Sequence, residues 1–205
     1  MKSAALPILP LQYPLIIFPG SRVTLPVKKA LGQQLVTLMQ ESEAAPVVAA
    51  VPILNDESKT SEEYTLNSWG CVARITRLIR PSALNPSETF LVTLHGITRV
   101  RLPHTVQIVS NPPEELPYHQ VEYLPPEGKA AKDTITTFKG AALNLLDRLV
   151  QDAGNNTRRE NWARFSAMVE EVSDARAGWL ADVMVWSMIT DYSDRLGTCC
   201  ICRTF

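Results

Sequence analysis

The residue pattern changes once along the chain, and this change constrains the fold more than any other feature. From Leu6 to about Leu124 the sequence consists of short apolar runs separated by proline, glycine and polar residues, a texture typical of strands joined by turns. From about Lys129 onward the apolar residues recur every three or four positions, which is the period of an amphipathic helix. The sequence therefore predicts an α+β protein in which a strand-rich part precedes a helical part.

The strand-rich part contains many short segments that are apolar or alternate in polarity. Leu15–Phe18 is a further apolar run, closed by a turn at Pro19–Ser21. The spacing of leucines within Ala30–Gln40 predicts one helix, and Gly96 is either a turn or a β-bulge. The predicted strands are Pro7–Leu11, Val23–Val27, Val47–Leu54, Cys71–Ile79, Phe90–Leu94, Ile97–Leu102, Thr105–Val109 and Tyr118–Tyr123. So many short strands in one stretch favour a closed or half-closed antiparallel barrel.

The helical part is expected to begin after Pro125–Gly128, which divides the chain into subdomains 1–125 and 126–205. Within the strand-rich part, the polar stretch Asn55–Glu63 predicts a surface loop. Three helices are expected, the first ending near Gly154 and the third capped by Ser173 or Asp174. Their inward stripes are Ile135, Phe138, Ala142, Leu145 and Leu149, then Trp162, Phe165 and Val169, then Leu180, Val183 and Met184.

Composition and charge exclude several classes of protein. Twenty basic residues against 21 acidic residues leave a net charge of −1, which predicts no nucleic-acid partner. No apolar run approaches the roughly 20 residues that a membrane-spanning helix needs, so we expect no membrane partner. The four cysteines do not suggest the disulfide framework of a small secreted protein. The sequence therefore favours a reducing intracellular compartment.

No catalytic, cofactor-binding or metal-binding residue can be assigned from motifs. The phosphate-binding, dinucleotide-binding and serine-nucleophile motifs built on glycine are all absent from the sequence. His95, His104 and His119 are dispersed along the chain. The metal-like cluster Cys199-Cys200-x-Cys202 lacks the second spaced pair that zinc sites normally have, and from about residue 197 we expect a frayed or foreign tail. Adjacent carboxylates such as Glu170-Glu171 are expected to be solvated.

Candidate contact residues for a polypeptide ligand are large apolar groups near turns and strand ends. We choose Tyr13, Leu15 and Trp69 on this ground. The alternative is that all three belong to the core. Trp179 and Trp186 lie two helical turns apart and are interpreted as core or helix-contact residues.

Six segments follow one another along the chain: Leu6–Leu11, Leu15–Gly20, Val23–Val27, Gly70–Ile75, Gly96–Arg99 and Leu180–Asp182. In this order they resemble landmarks of the N-terminal domain of Lon-type ATP-dependent proteases. The resemblance spans about residues 6–196 and implies a PUA-like barrel with one helix, followed by a helical bundle. It also implies recognition of unfolded or damaged proteins and support of a homohexamer. ATP, Mg²⁺ and a Ser/Lys catalytic dyad would belong to the ATPase and protease regions of a longer protein, outside this sequence.

The turn Pro19-Gly20-Ser21 and the lack of a transit peptide favour the peroxisomal branch of this family. The expected location is the peroxisomal matrix, with the cytoplasm and the mitochondrial matrix as alternatives. The segment after Asp194-Arg195-Leu196 departs from the family pattern, which is expected of a truncated or misspliced product. The alternative function is a stand-alone Lon-domain adaptor or scaffold that binds a folded protein partner.

Overall fold

The computed structural model describes residues 2–42, 44–54, 64–80, 89–104, 106–108, 116–123 and 131–201. By their contacts, residues 1–125 group with residues 182–204, and residues 126–181 form a second compact unit. We call these the strand unit and the helical unit. The predicted subdomain 126–205 differs in that residues 182–204 lie with the strands. The reason is that side chains of this segment pack on, and form an ion pair with, residues of the strand-rich part.

The strand unit contains eight strands and one helix before residue 125. The helix α1 spans Lys29–Glu41. The strands are β1 (Ser3–Leu11), β2 (Arg22–Lys28), β3 (Val47–Leu54), β4 (Tyr64–Leu66), β5 (Trp69–Ile79), β6 (Thr89–Arg101), β7 (Gln107–Ile108) and β8 (Tyr118–Tyr123).

Most predicted elements of this unit are confirmed to within a few residues, because each carries a local pattern. β4 was not predicted, and the strand predicted at Thr105–Val109 is present only as Gln107–Ile108 among the described residues. The two runs on either side of Gly96 form one strand, β6, whose register against β5 skips one residue between Thr98 and Gly96. Gly96 therefore adjoins a bulge. The predicted loop Asn55–Glu63 and the boundary Pro125–Gly128 lie outside the described residues.

Five strands pair in a ring. β1 pairs with β8, β8 with β6, β6 with β5, β5 with β3, and β3 returns to β1. β2 pairs with β6, and β4 joins β3 to β7. The expectation of a purely antiparallel arrangement is wrong, since β1 and β3 are parallel, with Ile8 opposite Ala49. The connection between them contains β2 and α1, which gives the length that a parallel crossover requires.

The core of the strand unit lies on both sides of β1 and β3. Leu9 and Val48 belong to a cluster that also includes Leu35 of α1, whereas Ile8 and Ala49 belong to a second cluster. Burial of both faces explains why these two strands read as continuous apolar runs. The run Leu15–Phe18 is not a strand, yet its last three residues are buried.

The helical unit contains α2 (Lys132–Gln151), α3 (Asn156–Glu171) and a 3-10 turn at Asp174–Arg176. A fourth helix, α4 (Ala177–Met188), begins in this unit and ends in the strand unit, which also contains α5 (Tyr192–Ile201). None of the helices in the described ranges combines the length and apolar character that crossing a membrane requires.

The predicted inward stripe of α2 is wrong at one position. Leu145 is 44% exposed, whereas Leu146 is fully buried. Ile135 and Ala142 are buried as predicted. The stripe advances four residues from Ala142, to Leu146, because a helix of 3.6 residues per turn alternates steps of three and four. On α4, Leu180 and Met184 are buried and Val183 is half-buried.

The end of the chain also differs from expectation. The predicted tail from about residue 197 continues α5, which runs to Ile201. Thr198 donates its hydroxyl to the carbonyl of Asp194 at 2.8 Å, within the helix. The side chains of Cys199 and Cys200, and all of Cys202, lie outside the described residues.

Candidate functional site

A tight turn at Phe18–Ser21 organises one end of the strand unit. The Ser21 hydroxyl donates to the Phe18 carbonyl at 2.6 Å and accepts from the Phe18 N–H at 3.1 Å. Gly20 has a positive φ of 82°, a conformation that favours glycine. The turn is thereby closed by its own serine, and both groups of Phe18 are satisfied although they are buried.

The turn is locked against β6 at Gly96. The Gly20 N–H donates to the Gly96 carbonyl at 2.9 Å, and the Gly96 N–H donates to the Ser21 carbonyl at 2.9 Å. A Cβ atom at position 96 would lie 2.1 Å from the Phe18 carbonyl oxygen, so this position accepts only glycine without backbone movement. Gly70 has a similar constraint, since a Cβ atom there would lie 2.7 Å from the Ala50 carbonyl oxygen.

Three residues after Gly96, the side chain of Arg99 forms a buried ion pair with Asp182 of α4. The side chains are 8% and 9% exposed. Arg99 Nε donates to Asp182 Oδ1 at 3.0 Å, and Nη2 donates to the same oxygen. Nη1 donates to the Thr198 carbonyl of α5 at 3.3 Å. The guanidinium also lies 5.5 Å from the centre of the Phe18 ring. One arginine therefore joins β6, the turn, α4 and α5.

A second arginine fixes the connection between α4 and α5. Arg195 donates to the carbonyl of Ile189 and, at 3.2 Å, to the carbonyl of Trp186. Its guanidinium lies 4.9 Å from the centre of the Trp186 ring. Carbonyl groups at the end of a helix have no partner within the helix, so a cation placed there both satisfies them and interacts favourably with the helix dipole.

These contacts hold a group of aromatic side chains around Ile16 and the Phe18 ring. We call this group the aromatic cluster; it consists of Tyr13, Trp69, Trp186 and Tyr192. Trp69, Trp186 and Tyr192 pack against Ile16 and the Phe18 ring. The rings of Tyr13 and Tyr192 meet edge to face, with centroids 4.7 Å apart. The Arg101 guanidinium lies 6.0 Å from the centre of the Trp69 ring.

Exposure distinguishes the members of this cluster. Tyr13 is 60% exposed, whereas Trp69, Trp186 and Tyr192 are half-buried. Aromatic groups that are anchored on one side and open on the other provide large contact area with little loss of side-chain entropy. The arrangement is therefore suited to holding an apolar or aromatic side chain of a ligand.

The three residues chosen from the sequence occupy different surroundings. Tyr13 and Trp69 belong to the aromatic cluster, and Leu15 is half-buried against the larger core cluster of the strand unit. Their role as contacts stays a prediction. Sequence reasoning missed Tyr192 and interpreted Trp186 as a core or helix-contact residue. No local signal relates them to Tyr13, because the contact joins opposite ends of the chain.

The described residues contain no group of three His, Cys, Asp or Glu side chains able to hold a metal ion. His95 and His104 are exposed and His119 is half-buried. The helical unit has an open cavity of about 550 Å³ between the end of α3 and the start of α4. Arg176 lies over the ring of Trp179 at its rim, 4.3 Å from the ring centre.

Comparison with known proteins places these features in a family. The family model of the ATP-dependent protease La (LON) substrate-binding domain matches residues 5–196. The N-terminal domain of the Lon protease of the Mycobacterium avium complex is 20% identical, with a TM-score of 0.55 over 97% of this chain and 96% of that chain. The Lon N-terminal domain protein from Xanthomonas campestris is 17% identical, with a TM-score of 0.46 over 91% and 99%.

A comparison with curated proteins finds no match. The matched span of the family model contains the turn at Phe18–Ser21, the glycines at positions 70 and 96, and the Arg99–Asp182 pair. The TM-score of 0.55 shows that the Mycobacterium domain shares the fold. The chain belongs to the family of the ATP-dependent protease La (LON) substrate-binding domain.

Proposed function

We propose that this chain is the non-catalytic N-terminal region of a Lon-type ATP-dependent protease, and that it recognises unfolded or damaged protein substrates. The match of the family model along residues 5–196 is the observation that carries the proposal. In this proposal the ring of five strands is a PUA-like barrel, and the helices of the helical unit form a helical bundle. The chain also supports assembly of a homohexamer, and its location is the peroxisomal matrix.

The chain itself is proposed to bind no cofactor. ATP, Mg²⁺ and the Ser/Lys dyad are assigned to the ATPase and protease regions of a longer protein. The purified chain is accordingly expected to hydrolyse neither ATP nor peptides. Its contribution is to hold a polypeptide, which requires exposed apolar groups on a rigid support.

The aromatic cluster supports this role within the strand unit. Tyr13 offers an exposed ring, and Trp69 a half-buried one. The support beneath them is rigid, because Arg99 ties α4 and α5 to β6 and Gly96 locks the turn to the same strand. We therefore assign substrate contact to Tyr13, Leu15 and Trp69, with Tyr192 as the ring against which Tyr13 packs.

Binding of a soluble, permanently unfolded protein tests this assignment. The probe is a reduced protein whose thiols carry a neutral alkyl group, and the comparison is its native folded parent. Fluorescence anisotropy should show binding of the unfolded form only. Tyr13→Ala and Trp69→Ala should each weaken binding about fivefold or more, because anchoring aromatic residues contribute most to such contacts.

Tyr118→Ala is the matched control, because Tyr118 is 62% exposed and lies outside the aromatic cluster. Its binding should equal that of the unaltered chain. An equal loss for Tyr118→Ala would mean that any exposed ring suffices and would refute the assignment. Binding of one folded partner, with no binding of unfolded chains, would replace the proposed function with that of an adaptor.

A further inference from the structure

Three neighbouring strands of the strand unit share an exposed face that is separate from the residues of the aromatic cluster. β6 pairs with β2 on one side and with β5 on the other. The hydroxyl oxygens of Thr24 and Thr93 lie 2.9 Å apart, so paired residues of β2 and β6 project on the same face. The intervening residues of β2 are buried. We call the outward side the basic face.

Residues at the same level on the three strands form rows across this face. Each row contains one residue of β2, one of β6 and one of β5, all exposed except Thr93. The rows are Arg22, His95 and Arg74, then Thr24, Thr93 and Arg77, then Pro26, Leu91 and Ile79.

The charges on the basic face are all positive. Arg22, Lys28, Arg74 and Arg77 are exposed, and β2, β5 and β6 contain no aspartate or glutamate. None of these four side chains forms an ion pair within the described ranges of the chain. The chain as a whole has a net charge of −1, so the face is a local concentration of positive charge and not a consequence of composition.

An aliphatic row adjoins the charged rows. Leu91 is 42% exposed and Ile79 is 39% exposed, and the two residues are opposite each other. Successive rows lie about 7 Å apart, the rise of two residues in a strand. The three rows contain no Phe, Tyr or Trp. Proteins normally hold single-stranded nucleic acid by stacking its bases on aromatic rings. A phosphate backbone also makes no favourable contact with aliphatic side chains, so these rows favour a polypeptide over a nucleic acid.

We propose that the basic face binds acidic polypeptide segments in which carboxylate and aliphatic side chains follow one another at intervals of two residues. An extended segment along the strands repeats with the spacing of the rows. Its aliphatic side chain lies on Leu91 and Ile79, and its carboxylates lie against Arg77 and Arg74. This inference names a substrate class and rests on the proposed function. The residues that bind this class belong to the basic face and not to the aromatic cluster.

Exposed ion pairs are individually weak, so the affinity depends on several charges acting together. Their interaction extends about 10 Å at 0.1 M salt and shrinks as salt rises. Binding of an acidic segment is therefore expected to weaken steeply between low and high ionic strength. The aliphatic contact does not weaken with salt. A segment with aliphatic side chains should therefore bind more tightly at high salt than a purely acidic one.

A labelled peptide that repeats Glu-Ser-Glu-Ser-Leu-Ser tests the proposal by anisotropy on the full chain, because residues two apart in an extended segment face the same side. R74E/R77E should weaken binding about tenfold or more, since two attractive contacts become repulsive. R158E/R159E is the matched control, because both arginines are exposed on α3 and the change in net charge is the same. This control should bind like the unaltered chain. I79S/L91S should weaken binding of this peptide more than binding of a peptide in which serine replaces each leucine.

Three results would overturn the proposal: no binding at low salt, equal losses in both arginine pairs, or tighter binding of a single-stranded oligonucleotide of equal charge at this face. Circular dichroism checks folding, and R22Q/R77Q replaces R74E/R77E if the latter does not fold. The Trp69→Ala chain is titrated in parallel. If it retains the acidic peptide but not the neutral unfolded protein, the two surfaces act separately, and failure of one leaves the other measurable.

Discussion

The strand unit and the helical unit each contain an ion pair between a basic residue and an aspartate, and the two pairs differ in burial. In the strand unit, Arg99 and Asp182 are 8% and 9% exposed. In the helical unit, Lys139 and Asp174 are 19% and 55% exposed, with a separation of 3.3 Å. A charge that has been removed from water depends on its partner, whereas a hydrated charge does not. The ion pair of the strand unit is therefore needed for stability, whereas that of the helical unit contributes little to the free energy of unfolding.

A glycine of β6 in the strand unit and a glycine of α2 in the helical unit also differ in how they are constrained. Gly96 contacts the backbone of the Phe18 turn, whereas Gly140 of α2 has nothing within 4 Å of the position that a Cβ atom would take. At Gly96 two backbone segments of the strand unit therefore approach closely. The helical unit is defined by the periodic burial of one side of each helix, such as Ile135, Ala142 and Leu146 on α2.

The largest effect is expected on removal of one member of the buried pair. Asp182→Ala leaves the Arg99 charge buried without its carboxylate, and should lower the free energy of unfolding of the strand unit by about 3–5 kcal/mol. The measurement is urea denaturation, with hydrogen exchange resolved by peptide to locate the loss in the strand unit.

The double variant R99M/D182L is the control for this prediction. It removes both charges and retains apolar volume, so most of the lost stability should return. If Asp182→Ala changes stability no more than an exposed substitution does, the pair is not structural and the contrast between the two units fails.

An intermediate effect is expected from alanine at glycine positions. Gly96→Ala places a methyl group against the Phe18 carbonyl oxygen and should destabilise the chain by about 1–3 kcal/mol. Gly140→Ala should instead stabilise α2 by up to about 1 kcal/mol, since alanine is the better helix former. The midpoint temperatures of unfolding of the two variants should shift in opposite directions from that of the unaltered chain. A common direction would show that close approach at Gly96 is not what distinguishes the strand unit.

The smallest effect is expected for the exposed pair of the helical unit. Asp174→Asn removes a carboxylate that is 55% exposed, and it should change the free energy of unfolding by less than about 0.5 kcal/mol. Lys139 still donates to the Val172 carbonyl at the end of α3. Lys139→Met, which also removes this hydrogen bond, serves as the comparison in urea denaturation. A loss for Asp174→Asn near that of Asp182→Ala would contradict the role of burial.

Local patterns predicted much of this fold. The strands β1, β2, β3, β5 and β8 and the helix α1 follow from apolar runs, alternation and helical spacing. The parallel pairing of β1 with β3 did not follow, since no local pattern shows which strand a buried strand will meet. β4 has only three residues and is too short to carry a pattern. The end of α5 was missed because its cysteine-rich sequence has no helical stripe.

The candidate site was predicted in part. Tyr13 and Trp69 were chosen as large side chains near turns and strand ends, and the structure places both at the aromatic cluster. Tyr192 was missed because its relation to Tyr13 exists only after α5 packs on the strands. Arg99 carried no visible signal of burial, because an arginine in an alternating strand is usually on the solvent side.

The order and type of most elements follow from the sequence, since periodicity reports which side of a strand or helix is buried. The Phe18 turn, Gly70, Gly96 and Asp182 can also be read in it, but their roles cannot. That Gly96 admits the Phe18 backbone and that Arg99 meets Asp182 is visible only in the folded chain. The reason is physical: a close backbone approach or a buried charge is a property of two distant segments at once, and neither segment alone encodes it.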